Sequence, residues 1–137
     1  MTKKKILVVD DEPNIQKMLR TLLEINEYEV ETASNGEEAI DRIKGKMPDL
    51  VLLDLVMPKV DGYEVLESLK KDFSTKNLPV ILFTAAPPEV AAATGANALD
   101  AVDYVLKPFD RMTLSFLLQR IKDQAAKNQG RKYCQFH

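Results

Sequence analysis

The sequence predicts an α/β domain of the doubly wound kind, a five-stranded parallel sheet in the order 2-1-3-4-5 with helices on both faces. Three observations predict it. Short aliphatic runs alternate with stretches of helical spacing along most of the chain. Three of those runs lack polar alternation, as expected of strands covered on both faces. The 137 residues suffice for one core and are too few for two ordinary domains.

The strands are expected at "KILVV" (5–9), "YEVETA" (28–33), "LVLLD" (50–54), "PVILF" (79–83) and "DYVL" (103–106). The second alternates more than the others, which suits an edge. Helices are expected around Ile15, Met18, Leu19, Leu22 and Leu23, then Ala39, Ile40 and Ile43, then Val65, Leu66 and Leu69, and last Leu114, Leu117, Leu118 and Ile121. The fourth connection, "PPEVAAATGANAL", is alanine-rich with few bulky anchors, and predicts a helix that packs less firmly. A right-handed chain of five βα units of this size is most often wound in the order given above, and its ligand crevice lies beyond the carboxyl ends of the strands.

Composition excludes several functions. Nineteen basic against twenty-one acidic residues give a net charge of −2, so no global field draws nucleic acid or an anionic membrane. No apolar run approaches the roughly 18 residues that span a bilayer, and "MTKKK" leads straight into a strand without a secretory h-region. The expected compartment is the cytoplasm, where the lone Cys134 stays reduced. With the single histidine, His137, near that cysteine in the tail, zinc chemistry and a Cys-His nucleophile are not expected. The five glycines form neither GxxxxGK[ST] nor GxGxxG.

The residues at the strand ends carry chemistry. Strand 1 runs into Asp10 and Asp11, strand 3 into Asp54, strand 4 into Thr84 and strand 5 into Lys107. At an effective dielectric near 20, two carboxylates about 5 Å apart repel by roughly 3 kcal/mol, so three cannot stay ionised together without compensation. A divalent cation resolves this. An all-oxygen, highly charged set selects a hard ion, and Mg²⁺ tolerates a few carboxylates plus waters. Metal, carboxylate nucleophile, hydroxyl and ammonium together suit phosphoryl transfer that ends in an aspartyl phosphate. The plainer reading makes Asp10, Asp11 and Glu12 cap and first-turn acids of helix 1 ahead of Pro13, and "KKK" at 3–5 a solvated entry to strand 1. In "MPKVDG", Met57 and Pro58 hold the chain extended and Asp61-Gly62 turns it into helix 3.

The set "VVDDE", "LLDLVMPKVDGYE", "FTA" and "YVLKPF", in that order, resembles the receiver domain of two-component response regulators, the CheY-like, flavodoxin-like (βα)5 fold. The resemblance spans residues 4–125 and leaves 126–137 as a tail or the start of a linker. It implies that Asp54 is both the phosphoacceptor and a metal-site residue, that Asp11 and the Val56 backbone carbonyl ligate Mg²⁺ with Mn²⁺ as a substitute, and that Asp10 acts mainly through water. It also implies that Lys107 pairs with the phosphoryl group, that Thr84 is drawn toward it, and that Tyr104 changes rotamer with Thr84. The Lys107–Pro108 peptide resembles the family's cis bond.

The implied partners are a histidine kinase or histidine phosphotransfer protein, an output domain or downstream protein reached through the fourth helix, fifth strand and fifth helix, and in some members a second copy as a homodimer. Such a domain is no enzyme in the ordinary sense, because it catalyses only its own Mg²⁺-dependent phosphorylation and dephosphorylation. The alternative is a pseudo-receiver that binds protein without phosphate. Two departures stand out. Asp100 occupies a position where the family commonly has glycine, and Pro87-Pro88 stiffens the loop after Thr84. Val56 and Ala86, which carry no polar side-chain atom, predict slow self-catalysed loss of phosphate from Asp54.

Overall fold

The computed structural model describes residues 3–54, 62–84, 103–106 and 115–123, with the backbone alone described at 62–63, 83–84 and 103–106. The expected fourth helix, Val56, Ala86, Pro87-Pro88, Asp100, Lys107, the Lys107–Pro108 peptide and the 126–137 tail lie outside those residues.

Five strands form one parallel sheet: β1 (Lys5–Val9), β2 (Glu29–Ala33), β3 (Leu50–Leu53), β4 (Val80–Thr84) and β5 (Asp103–Leu106). Their order is β2-β1-β3-β4-β5, as the alternating strand and helix pattern predicts. The register sets Val9 beside both Ala33 and Leu53, and Leu53 beside Leu82. β2 is at the edge, and its burial is mixed where β1 and β3 are buried throughout.

The side-chain period of 2 in β1 splits the core in two. Leu7 and Val9 point to a cluster with Ala39 and Ile43 of α2 (Gly36–Gly45) and Val65, Leu66 and Leu69 of α3 (Gly62–Lys71). Ile6 and Val8 point the other way, to Leu19 and Leu23 of α1 (Pro13–Ile25) and Leu117 and Ile121 of a helix at 115–123. The sheet is thus sandwiched between two helical layers. Among the described residues no helix is long and apolar enough to cross a membrane.

The helix ends show how local chemistry positions these layers. Asn35 caps α2, with Oδ1 accepting from the Glu38 amide at 2.9 Å, while Glu38 accepts in return from the Ser34 amide at 3.3 Å. The end of α1 is closed by the Tyr28 amide donating to the Leu23 carbonyl at 3.0 Å and the Glu27 amide to the Glu24 carbonyl at 3.0 Å. That is a Schellman closure, which requires its penultimate residue to be left-handed, and Glu27 sits there at φ 69°.

Two expectations are corrected. The acids before Pro13 are not first-turn residues of α1: the cap position falls to Glu12, whose side chain makes no capping bond, and the first turn holds no acid. The Asp10 carboxylate is drawn instead into the loop ahead of the helix. Nor is all of "KKK" solvated, because Lys5 is 4% exposed. As the first residue of an interior strand, it is covered by its neighbours on both sides.

Candidate functional site

All five strands run the same way, so their carboxyl ends share one edge of the sheet. At that edge β1 and β3 pair up to Val9 and Leu53, and the next residue in each chain segment is an aspartate. The Asp54 amide donates to the Val9 carbonyl at 3.0 Å, and the Asp10 amide donates to the Ala33 carbonyl at 3.1 Å. The hydrogen-bond ladder therefore runs one residue past the strands and fixes the backbone of both acids. Asp10 is wholly buried and Asp54 is 3% exposed. Two carboxylates are thus held out of water at neighbouring strand ends, an arrangement that is stable only with donors or cations around it.

The β1–α1 loop supplies part of that environment. Asp10 Oδ1 accepts the Glu12 amide at 2.9 Å, a charge-assisted bond that turns the chain sharply after the strand. Asp11 and Glu12, both exposed, follow on the solvent side of the turn. The carboxylate oxygens of Asp10, Asp11 and Glu12 can all lie within 4.8 Å of one another. Glu12 is an acid of this cluster that the sequence reading does not nominate as a metal ligand, since "DDE" assigns it to the cap or first turn of helix 1. All the donors in the cluster are hard oxygens, so the residues present fit a hard divalent cation such as Mg²⁺.

Gln16, one turn into α1, closes the loop from behind. Its Nε2 lies 2.5 Å from the Asp10 carbonyl oxygen, 3.2 Å from the Ala33 carbonyl oxygen and 3.2 Å from Ser34 Oγ. The turn bearing the acids is thereby tied to the end of β2.

The remaining sequence-predicted residues are placed by backbone alone or not described. Thr84 ends β4 at the same edge, paired in register with Leu106. Tyr104 pairs with Leu82, two residues back from Thr84 along the sheet. Val56 and Lys107 lie outside the described residues. The structure thus gathers the carboxylates of Asp10, Asp11 and Glu12 beyond β1 and places Asp54 at the neighbouring end of β3, outside that cluster, with the Thr84 backbone on the same rim.

Comparison with known proteins agrees with this geometry. A family model described as "Response regulator receiver domain" matches residues 6–119. A probable transcriptional regulator, ycf27, of Guillardia theta is 43% identical over 120 residues, covering 88% of this chain and 46% of that protein. The chain spans about half the length of the curated relatives it matches. Among solved structures, a putative response regulator from Chloroflexus aurantiacus superposes with a TM-score of 0.81 at 33% identity, covering 91% of this chain and 99% of that one. The response regulator TrrA of Thermotoga maritima, in complex with Mg²⁺-BeF, gives a TM-score of 0.76 at 37% identity, covering 88% of this chain and 98% of that one. With the parallel sheet, the buried strand-end aspartates and the match over residues 6–119, this chain belongs to the response regulator receiver domain family of two-component signalling.

Proposed function

We propose that this receiver accepts a phosphoryl group from a phosphohistidine of a histidine kinase or histidine phosphotransfer protein onto Asp54. A carboxylate oxygen of Asp54 attacks phosphorus in line. The P–N bond breaks, its electron pair leaves with the imidazole nitrogen, and an acyl phosphate remains on Asp54.

Asp11 and the Val56 backbone carbonyl would hold Mg²⁺, with Mn²⁺ as a substitute and Asp10 acting mainly through water. When bound, the ion neutralises the phosphoryl oxygens and so lets an anionic nucleophile approach an anionic donor. The rest is the chain's own work. The ladder bonds of Asp10 and Asp54 keep their carboxylates at the rim, so the nucleophile needs little reorganisation. Lys107 pairs with a phosphoryl oxygen and the Thr84 hydroxyl donates to another. Inward movement of these two, followed by Tyr104, biases the surface of the fourth helix, β5 and the last helix between two states. That surface meets an output domain, a downstream protein or a second copy of the chain.

The observation that carries this reading is the buried pair Asp10 and Asp54 at adjacent strand ends. The Mg²⁺-BeF complex of the Thermotoga maritima relative supports the choice of ion. The longer relatives named as transcriptional regulators support a regulatory output outside the receiver, and the net charge of −2 gives this domain no field that would draw nucleic acid to it. A cytoplasmic location is consistent with this role. Incubation with acetyl phosphate and Mg²⁺ is the test. The expected result is a mass gain of one phosphoryl group that is lost in Asp54→Ala and on chelation of the metal. An unmodified native chain would favour a receiver that works without phosphate.

A further inference from the structure

We propose that Gln16 is a positioning residue for the acidic loop, setting the orientation in which Asp11 is presented to the divalent cation; the inference rests on the proposed function above. Three links support it. The segment between β1 and α1 is only Asp10, Asp11 and Glu12, so the direction of the Asp11 side chain depends on the Asp10–Asp11 peptide plane. The carbonyl oxygen of that peptide is the atom Gln16 Nε2 approaches at 2.5 Å. The same amide nitrogen reaches Ala33 and Ser34 at the end of β2, so the plane is referred to a second strand rather than to its own loop.

The base of Gln16 is itself fixed, because its backbone amide donates to the Glu12 carbonyl at 3.1 Å in the first turn of α1. Gln16 is half-buried and carries no charge, so it holds the loop without altering the pocket's charge balance. Without its donors, the Asp10 carbonyl would lose its tie to the helix, and the peptide plane could rotate. Cation affinity would then fall while the fold, built on the two apolar clusters, stays intact.

The experiment compares the native chain with Gln16→Met, which keeps length and removes the donors, and Gln16→Asn, which keeps the amide but withdraws it by one methylene. Mg²⁺ binding is read by calorimetry in the absence of phosphodonor, and thermal unfolding is read without Mg²⁺. The expected result is a Mg²⁺ Kd raised about threefold to tenfold in both variants, at or just below the lower edge of what losing an outer-shell partner does elsewhere. Both should remain fully folded at the titration temperature. A Kd within twofold of native in a folded variant overturns the role of Gln16 alone. Absence of Mg²⁺ binding by the native chain overturns the proposed function, and this inference with it. Amide exchange supplies an independent reading: protection at Glu12, whose amide donates to Asp10 Oδ1, should fall in Gln16→Met while protection in β3 is retained, and unchanged protection at Glu12 also counts against the proposal.

Discussion

Lys5 Nζ lies 3.0 Å from Glu31 Oε1, joining the interior strand β1 to the edge strand β2 through a lysine side chain that is 5% exposed against a glutamate that is 35% exposed. The two are at ion-pair distance without hydrogen-bond alignment, so the attraction is Coulombic rather than directional. The unequal exposure predicts unequal mutational effects. Glu31→Ala leaves a buried ammonium without its counter-charge and should destabilise the fold by roughly 2–3 kcal/mol, somewhat below the range for a fully buried pair. Lys5→Met leaves a glutamate that can rehydrate and should change stability by less than about 1 kcal/mol. Urea unfolding of the two variants checks this, and equal losses would contradict the asymmetry.

Glu27 occupies the left-handed position of the Schellman closure of α1 at φ 69°, where a side chain is strained. Glu27→Gly should stabilise the protein by about 0.5–1 kcal/mol, the relief of strain exceeding the added chain entropy. The denaturation midpoint should rise with an unchanged m-value.

The Asp72 carboxyl is held below the usual carboxylate range, first by the Ser74 backbone amide at 2.9 Å and then by the Ser74 hydroxyl at 2.8 Å, with Lys44 adding a smaller effect. A lowered folded pKa means that the ionised form is favoured in the native state. Its contribution is therefore present above the ordinary aspartate value and is lost as pH falls through the lowered one. The Asp72 carboxyl resonance should titrate at a lower pH in the native chain than in Ser74→Ala, where the amide bond remains and the hydroxyl is gone.

The lifetime of the Asp54 phosphate should be set by side chains that can orient a water molecule toward phosphorus, and Val56 and Ala86 have none. Loss of radiolabelled phosphate from the native chain should be slower than from Val56→Asn or Ala86→Glu, by about tenfold, a factor below that of full general-base catalysis. Equal rates in the three proteins would refute this.

Much of the architecture could be read from the linear chain because burial imposes simple periods. The unbroken aliphatic runs at 6–9 and 50–53 became interior strands, the alternating run at 29–33 became the edge, and spacings such as Leu19 and Leu23 became helix faces turned to the sheet. Strand-end acids were legible for the same reason: a charge that stops an apolar run marks where the sheet meets its crevice. The sequence by itself therefore determined the layer order and the nominees Asp10, Asp11 and Asp54.

Only the tertiary structure decided which polar side chains serve which neighbours. Lys5 reads as one lysine of three at the start of the chain, and its burial arises from strands distant in sequence on either side of it. Gln16 is a polar position within an amphipathic helix, and its three acceptors include two contributed by residues 17 and 18 positions away. Glu27 carries no glycine signal, yet the hydrogen bonds that close α1 impose the turn on it. The physical reason is range. Periodicity reports whether a residue faces oil or water, a property of the element it sits in, whereas hydrogen bonds and ion pairs depend on distances of a few ångströms that exist only once separate elements have been brought together.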